Sequence, residues 1–407
     1  LYYFNQSIKS KSVGRLSVCR SIPEGYTLEL KKSLYGLKQA SRMWNERIHQ
    51  VLIDLGFEAA EAEPCIYVRN DQDGLCMICL YVDDLLIAAK TKSIINKVTS
   101  SLKEQFSIKC LGVVKHMLGM EVNYDMEKKF LELSQVSYID NLIKKFNQAD
   151  SKEVSTPMEV SLVLTKDDEA KTPEEVAMMS ARPYRSLIGA LNYLCGTTRP
   201  DICVAVTKLS RILNNPGEKH WNAAVRLLRY LKRTKNYCLH YDGNLKGKVE
   251  AYSDADWGTD KDDRRSMSGI LIKYCGAPII WKANYQRTVA LSTTEAEYMA
   301  LSLCVKECVW LRLLLKNMCF EQVGATVINE DNQGAIALAR NVGYQARTKH
   351  IDIQYHFIRE KILDGFIELK YVETTEQLAD FMTKILSVKR LNYLLKKSGI
   401  LCPEWEC

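Results

Sequence analysis

The sequence predicts a multidomain chain of mixed α/β and α+β class, closing in a five-stranded mixed sheet with flanking helices. Three observations lead there. The chain has 407 residues, room for two or three domains. Its 47% apolar and 26% charged residues are ordinary globular usage, which excludes wholesale disorder, collagen and coiled coil. Strand and helix patterns alternate along its last third.

Residues 1–148 mix helix patterns with short β-rich runs. The polar stretch 149–181, with Pro157, Pro173 and clustered acids, reads as a linker or surface loop. A helical block fills 182–246. Region 247–388 gives strands at 248–254, 268–274 and 278–283, a helix at 293–316 and a strand at 325–330. Helices at 332–340 and 347–363, a strand at 366–372 and a helix at 375–386 follow. Thr374 and Gln377 stand at capping-box spacing before that last helix. Residues 389–407 read as a tail.

Charge is concentrated rather than large. The net charge is +7, yet residues 1–50 hold nine basic and three acidic side chains, and residues 205–235 hold eight and one. Such patches suit a polyanion such as nucleic acid, or a plain solvated helix face. In HWNAAVRLLRYLKRTK, Trp221, Val225, Leu228 and Leu231 form an apolar stripe, while Arg226, Arg229 and Arg233 form a row that could follow a phosphate backbone. No apolar run reaches the ~18–20 residues of a membrane helix, so no membrane partner is expected. The 14 cysteines are scattered; Cys76 and Cys79 fall on opposite faces of a strand, and buried reduced thiols are the expectation. The opening LYYFNQSIKS reads as part of a longer product or of a damaged reading frame. Neither a Walker loop, a GxGxxG nor a Ser-His-Asp arrangement supports small-molecule chemistry.

In LCMICLYVDDLLIAAK, Asp83 and Asp84 stand between two apolar β-like runs. Adjacent carboxylates repel, and Asp-Asp is a poor choice for a tight two-residue hairpin, which favours Asn-Gly or Asp-Gly. A divalent cation would remove the repulsion, since Mg²⁺ takes hard carboxylate oxygens. YVDD resembles the catalytic turn of reverse transcriptases. KKSLYGLKQASRMWN, CIYV, YVDDLLIA, LGMEV, STPM, YRSLIGALNYL and TRPDI come in the order and spacing of copia-type LTR retrotransposon Pol polyproteins, a resemblance that covers roughly residues 20–390. It implies a partial reverse transcriptase palm and thumb at 1–148, a helical connection at 182–246 and template-primer nucleic acid as a partner. It also implies that Gly36, Lys38 and Gln39 border the incoming nucleotide, and that LGMEV grips the primer end. A further catalytic Asp of this family lies upstream of SLYGLKQA. Here the only acids before Lys31 are Glu24 and Glu29, so the fingers and first palm strand are expected to be missing.

Four more acids stand out in the last region. Asp254 ends the first strand, with Asp256 as a rival two residues on. Glu297 shares a helix stripe with Leu301, Cys304, Cys308, Leu311 and Leu315, where a lone carboxylate is costly unless paired or metal-bound. Asp331 precedes NQGAIALA and could equally be an N-cap. Asp380 shares a face with Glu376 and Lys384, which by pattern is a solvated i,i+4 face. These acids resemble the Asp-Glu-Asp-Asp set of ribonuclease H, and YSDADWG, STTEAEYMALS, EDNQGAIALA, RTKHIDIQYHFIRE and EQLADFMTK resemble its copia-type version. The resemblance implies an RNase H-like domain at 247–388 holding two Mg²⁺ ions, with Mn²⁺ as a substitute, and hydrolysing the RNA strand of an RNA/DNA hybrid. Arg347, Lys349 and His350 are candidates for phosphate contact or proton transfer. The alternative is a catalytically inactive remnant or a recruited nucleic-acid-binding module.

Overall fold

The computed structural model describes the backbone of residues 3–10, 37–245, 247–340 and 349–402, and the side chains of these except at 3–10 and 349–354. Its contacts divide the chain into two units, Leu1–Met117 with Arg312–Glu321, and Leu118–Leu311 with Gln322–Cys407.

In the first unit the chain runs β1 (Tyr3–Ser10), α1 (Ala40–Asp54), β2 (Glu58–Ala59), β3 (Ile66–Asp71), β4 (Gly74–Tyr81), β5 (Asp84–Ala89), α2 (Lys92–Gln105), β6 (Ile108–Cys110) and β7 (His116–Met117). The sheet order is β2-β3-β4-β5-β1-β6. Cys76, Ile78 and Leu80 of β4 pack with Ile48 and Leu52 of α1 and with Ile95 and Leu102 of α2. Met77 points the other way, and with Val68 and Ala88 it meets Met318 and Phe320. Both faces of the sheet are covered, which is why β4 and β5 read as unbroken apolar runs.

The second unit starts with β8 (Met120–Asp125), β9 (Phe130–Ser134) and α3 (Val136–Lys145). Helices α4 (Pro173–Ser180), α5 (Tyr184–Thr197), α6 (Cys203–Ser210) and α7 (Glu218–Arg233) lead to β10 (Cys238–Asp242). Then come β11 (Glu250–Asp256), β12 (Met267–Tyr274), β13 (Ala277–Tyr285), α8 (Thr293–Asn317), β14 (Thr326–Glu330), α9 (Gln333–Arg340), α10 (Lys349–Leu363) and β15 (Ile367–Tyr371). Two short 3-10 turns, Thr374–Glu376 and Leu378–Met382, precede α11 (Val388–Lys397) and β16 (Ile400–Leu401). The five-stranded sheet has the order β13-β12-β11-β14-β15. Its first three strands are antiparallel, while β14 runs parallel to both β11 and β15. One core joins Leu187 and Leu191 of α5, Leu227 and Leu231 of α7, Met267 and Leu271 of β12, Phe381, Met382, and Leu394 of α11.

Five expectations need correction. A strand does lie beside β5: β1 pairs with it antiparallel, Lys9 opposite Asp84, although its sequence YFNQSIKS holds no acid. The units divide after Met117, within the span 1–148, because β9 pairs with β10 from beyond the helical block. The stretch 149–181 is packed rather than loose, since Met158 is buried in the core and Pro173 opens α4 with a capping box. No helix forms at 375–386. Leu378, Ala379, Asp380, Phe381 and Met382 are all buried, whereas an amphipathic helix would keep one face in water. Gln377, expected to cap a helix, instead accepts from the Ala379 N–H through its own side chain. Finally, the expected tail carries α11 and β16, and β16 pairs with β10. No described helix is long and apolar enough to cross a membrane.

Candidate active site

The first site is the β4–β5 turn. Tyr81 pairs with Asp84, so this is a two-residue hairpin whose tip is Val82-Asp83. The expectation that two aspartates argue against such a turn is thus corrected, because Asp84 already belongs to β5. The φ of Val82 is 53°, a conformation that β-branched residues avoid. Trp44 of α1 donates its indole N–H to the Val82 carbonyl at 2.5 Å, tying the SRMWN helix to the turn. Asp83 is exposed, while Asp84 has a buried Oδ1 with no hydrogen-bond partner among the described residues. Among the described residues no third carboxylate gathers with this pair. Lys38 and Gln39 are exposed at the start of α1. Gly36 and Arg347 lie outside the described residues, as do the side chains of Lys349 and His350.

The second site lies at the ends of β11 and β14, against the start of α8. Ser253, Asp254 and Ala255 of β11 are all buried, and Asp254 is 1% exposed. Glu297 sits in the first turns of α8 and is likewise buried. Asp331 follows β14 and is partly exposed. One ligand atom from each of Asp254, Glu297 and Asp331 lies within 4.8 Å of the other two, the one such group among the described residues. Glu297 Oε2 is buried without a hydrogen-bond partner among the described residues.

Asp380 is not in that group. Its Oδ1 accepts from Lys384 Nζ at 2.7 Å and its Oδ2 from Arg390 at 2.8 Å. The i,i+4 pairing read from the sequence is therefore real, but its carboxylate is buried rather than solvated. Lys384 also donates to Asp254 Oδ1 at 3.1 Å, and the Thr383 hydroxyl donates to Asp254 Oδ2. Thr374 donates to Asp331 Oδ2 at 2.7 Å, and its carbonyl accepts from Arg390 at 2.7 Å.

Electrostatics reflect this crowding. Burial, then the charges of Glu330, Asp254 and Asp331, hold the Glu297 carboxyl far above its usual range. Burial also raises Asp254, against the pull of Lys384 and Thr383. Burial disfavours the Lys384 ammonium, but Asp254 and Asp380 outweigh it and raise its pKa. Three carboxylates with an orphaned oxygen match the hard-oxygen donor set of Mg²⁺ or Mn²⁺.

Sequence reasoning missed Glu330, Thr383, Lys384 and Arg390 as parts of this site. Glu330 is fully buried; Ser253 donates to it at 2.7 Å and the Asn332 N–H at 3.1 Å. The two-residue period from Thr326 through Ile328 would have marked it as inward-facing. The Arg row is put to another use. Arg226 pairs with Glu159 at 2.9 Å, and Arg229 donates to the Lys152 carbonyl at 2.5 Å. Both grip the polar stretch, and only Arg233 of the three is exposed.

Comparison with known proteins then decides the family. Residues 19–160 match the family described as reverse transcriptase (RNA-dependent DNA polymerase). The chain is 39% identical over 376 residues to the retrovirus-related Pol polyprotein from transposon TNT 1-94 of Nicotiana tabacum, an alignment covering 89% of this chain and 28% of that protein. A Saccharomyces cerevisiae protein assigned to transposon Ty5-1 is 35% identical over 283 residues, with 69% of this chain and 90% of the relative covered. The chain belongs to the copia-type LTR retrotransposon Pol family. It spans about a quarter of the length of its large Pol relatives, 28% and 25% in two of them. A foamy viral protease-reverse transcriptase in complex with double-stranded DNA aligns with a TM-score of 0.46 at 11% identity, covering 82% of this chain and 49% of that one. The reverse transcriptase match of this Pol chain includes both Asp83 and Asp84.

Proposed function

We propose that residues 247–388 of this Pol chain act as a nuclease of RNase H type, hydrolysing the RNA strand of an RNA/DNA hybrid with divalent cations. The observation that carries this reading is the convergence of Asp254, Glu297 and Asp331 within 4.8 Å around Glu297 Oε2, which has no partner among the described residues. Such a buried oxygen is costly unless a cation meets it. Mg²⁺ or Mn²⁺ bound there would activate a water and neutralise charge on the leaving 3′ oxygen.

The chain's own residues set up that chemistry. Glu297 supplies a carboxylate on a rigid helix. Asp254 is oriented from both sides by Thr383 and Lys384. Asp331 is the partly exposed member, so a phosphate approaches from its side. The RNA strand would be told from DNA by its 2′-hydroxyls.

Cleavage of a labelled RNA/DNA hybrid by the full chain, compared with an Asp331→Asn variant, tests the proposal. Metal-dependent cleavage lost in the variant supports it; no cleavage by the parent favours the inactive reading. For the polymerase half, that second reading has its own support. Asp83 and Asp84 gather no third carboxylate among the described residues, and β1 beside them has no acid. Two-metal phosphoryl transfer draws carboxylates from more than one segment. Primer extension on a poly-A template should therefore give little or no product, and clear extension would refute this.

A further inference from the structure

Lys384 hydrogen-bonds the carboxylates of both Asp254 on the central strand and Asp380 in the 3-10 turn. Its ammonium sits 3.1 Å from Asp254 Oδ1 and 2.7 Å from Asp380 Oδ1. Each carboxylate's other oxygen is engaged as well, Asp254 Oδ2 by Thr383 and Asp380 Oδ2 by Arg390. A cation bound between these two aspartates would have to displace the ammonium. The Asp254, Glu297 and Asp331 side differs, because Glu297 Oε2 has no donor among the described residues. The two sides of Asp254 are thus electrostatically unlike: one holds a tethered positive charge, and the other has no ion pair among the described residues.

We propose that Lys384 is a built-in cation occupying the place of a second divalent ion between Asp254 and Asp380. With Lys384 in place the cluster takes one ion, at Asp254, Glu297 and Asp331. A second ion binds only when the lysine leaves. The inference rests on the nuclease reading of this site and sharpens it from two resident ions to one ion plus an ammonium. Geometry permits departure as well as residence. The Lys384 backbone N–H is fixed on the Asp380 carbonyl at 2.9 Å, but its side chain is 34% exposed and so borders water. A long, flexible stem makes lysine suited to such an in-or-out role, where an arginine fork would be held more rigidly.

The test is Mn²⁺ binding to the full chain, read by electron paramagnetic resonance of free Mn²⁺ and by calorimetry. An Asp83→Asn, Asp84→Asn background removes the hairpin carboxylates as binders. The expected stoichiometry is one ion per chain, lost on adding Asp331→Asn. Lys384→Met keeps the stem and should bind two ions; adding Asp380→Asn should return it to one. Lys384→Arg should stay at one. Circular dichroism and thermal melting confirm that each variant is folded. Two ions of similar affinity in the parent, or one ion in folded Lys384→Met, would overturn the inference while leaving the nuclease reading intact. No ion in the parent would overturn both.

Discussion

Gly269 faces Thr383 so closely that a methyl group on its Cα would lie 2.6 Å from the threonine Cγ2. Gly269 is also the ladder partner of Asp254, whose carboxylate accepts from the same threonine. Backbone proximity at one strand position therefore sets the seat of the Asp254 carboxylate. Gly269→Ala must push the 3-10 turn away. Overpacking of this kind costs about 1–3 kcal/mol. The expected outcome is a lower melting temperature and weaker Mn²⁺ binding, measured on the same sample; an unchanged melt would show that the turn yields freely.

Glu297→Gln should make the metal-free protein more stable at alkaline pH. Burial and neighbouring carboxylates raise the Glu297 pKa above its ordinary value of 4.5. An acid so raised contributes stability in full below 4.5, and that contribution is lost as pH climbs toward the folded value. At pH 8 the parent thus bears a penalty that glutamine does not, so its melting temperature should fall between pH 5 and pH 8 more steeply than the variant's, over a window of roughly three units. Added Mg²⁺ should narrow the gap by stabilising the parent alone. Parallel melting curves for the two proteins across that range would count against the buried charge.

Val82→Gly should stabilise the first unit. Val82 holds φ at 53° while 57% exposed, so glycine removes strain and little packing. Relief of such a strained residue is worth about 1 kcal/mol. Thermal melting would show a rise, whereas a fall would mean that the turn is unstrained.

Arg226→Ala combined with Arg229→Ala should free the polar stretch rather than weaken nucleic-acid binding. These residues hold Glu159, Thr156 and the Lys152 carbonyl. Limited proteolysis is expected to cut near residues 150–165 faster in the double variant, with hybrid affinity little changed. Lost affinity without new cleavage would return the row to the phosphate backbone.

Much of the second site was legible because burial leaves a mark in the sequence. Glu297 betrayed itself by standing on an otherwise apolar helix stripe, and Asp254 by its place at the end of the first strand of that region. The strands of the five-stranded sheet fall within a few residues of their apolar runs. Lys384 and Asp380 were harder. Their i,i+4 spacing is the signature of a solvated pair, and nothing local shows that the turn lies under β12, where Gly269 makes room. The Arg row misled for a related reason: a charged helix face looks the same whether it meets phosphate or the chain's own carbonyls. The stretch 149–181 looked like a linker because its polar composition hides a few buried anchors, Met158, Ala170 and Met179, among many exposed residues.

The proposed nuclease chemistry requires Asp254, Glu297 and Asp331 to act together on a cation and an RNA strand. Its most direct test is the initial rate at which the full chain cleaves the RNA strand of a labelled RNA/DNA hybrid, with Mg²⁺ and with chelator, beside folded Glu297→Gln. Cleavage should need Mg²⁺ or Mn²⁺, spare the DNA strand, and fall by at least about 100-fold in the variant. Equal rates for parent and Glu297→Gln, or cleavage that persists in chelator, would contradict it.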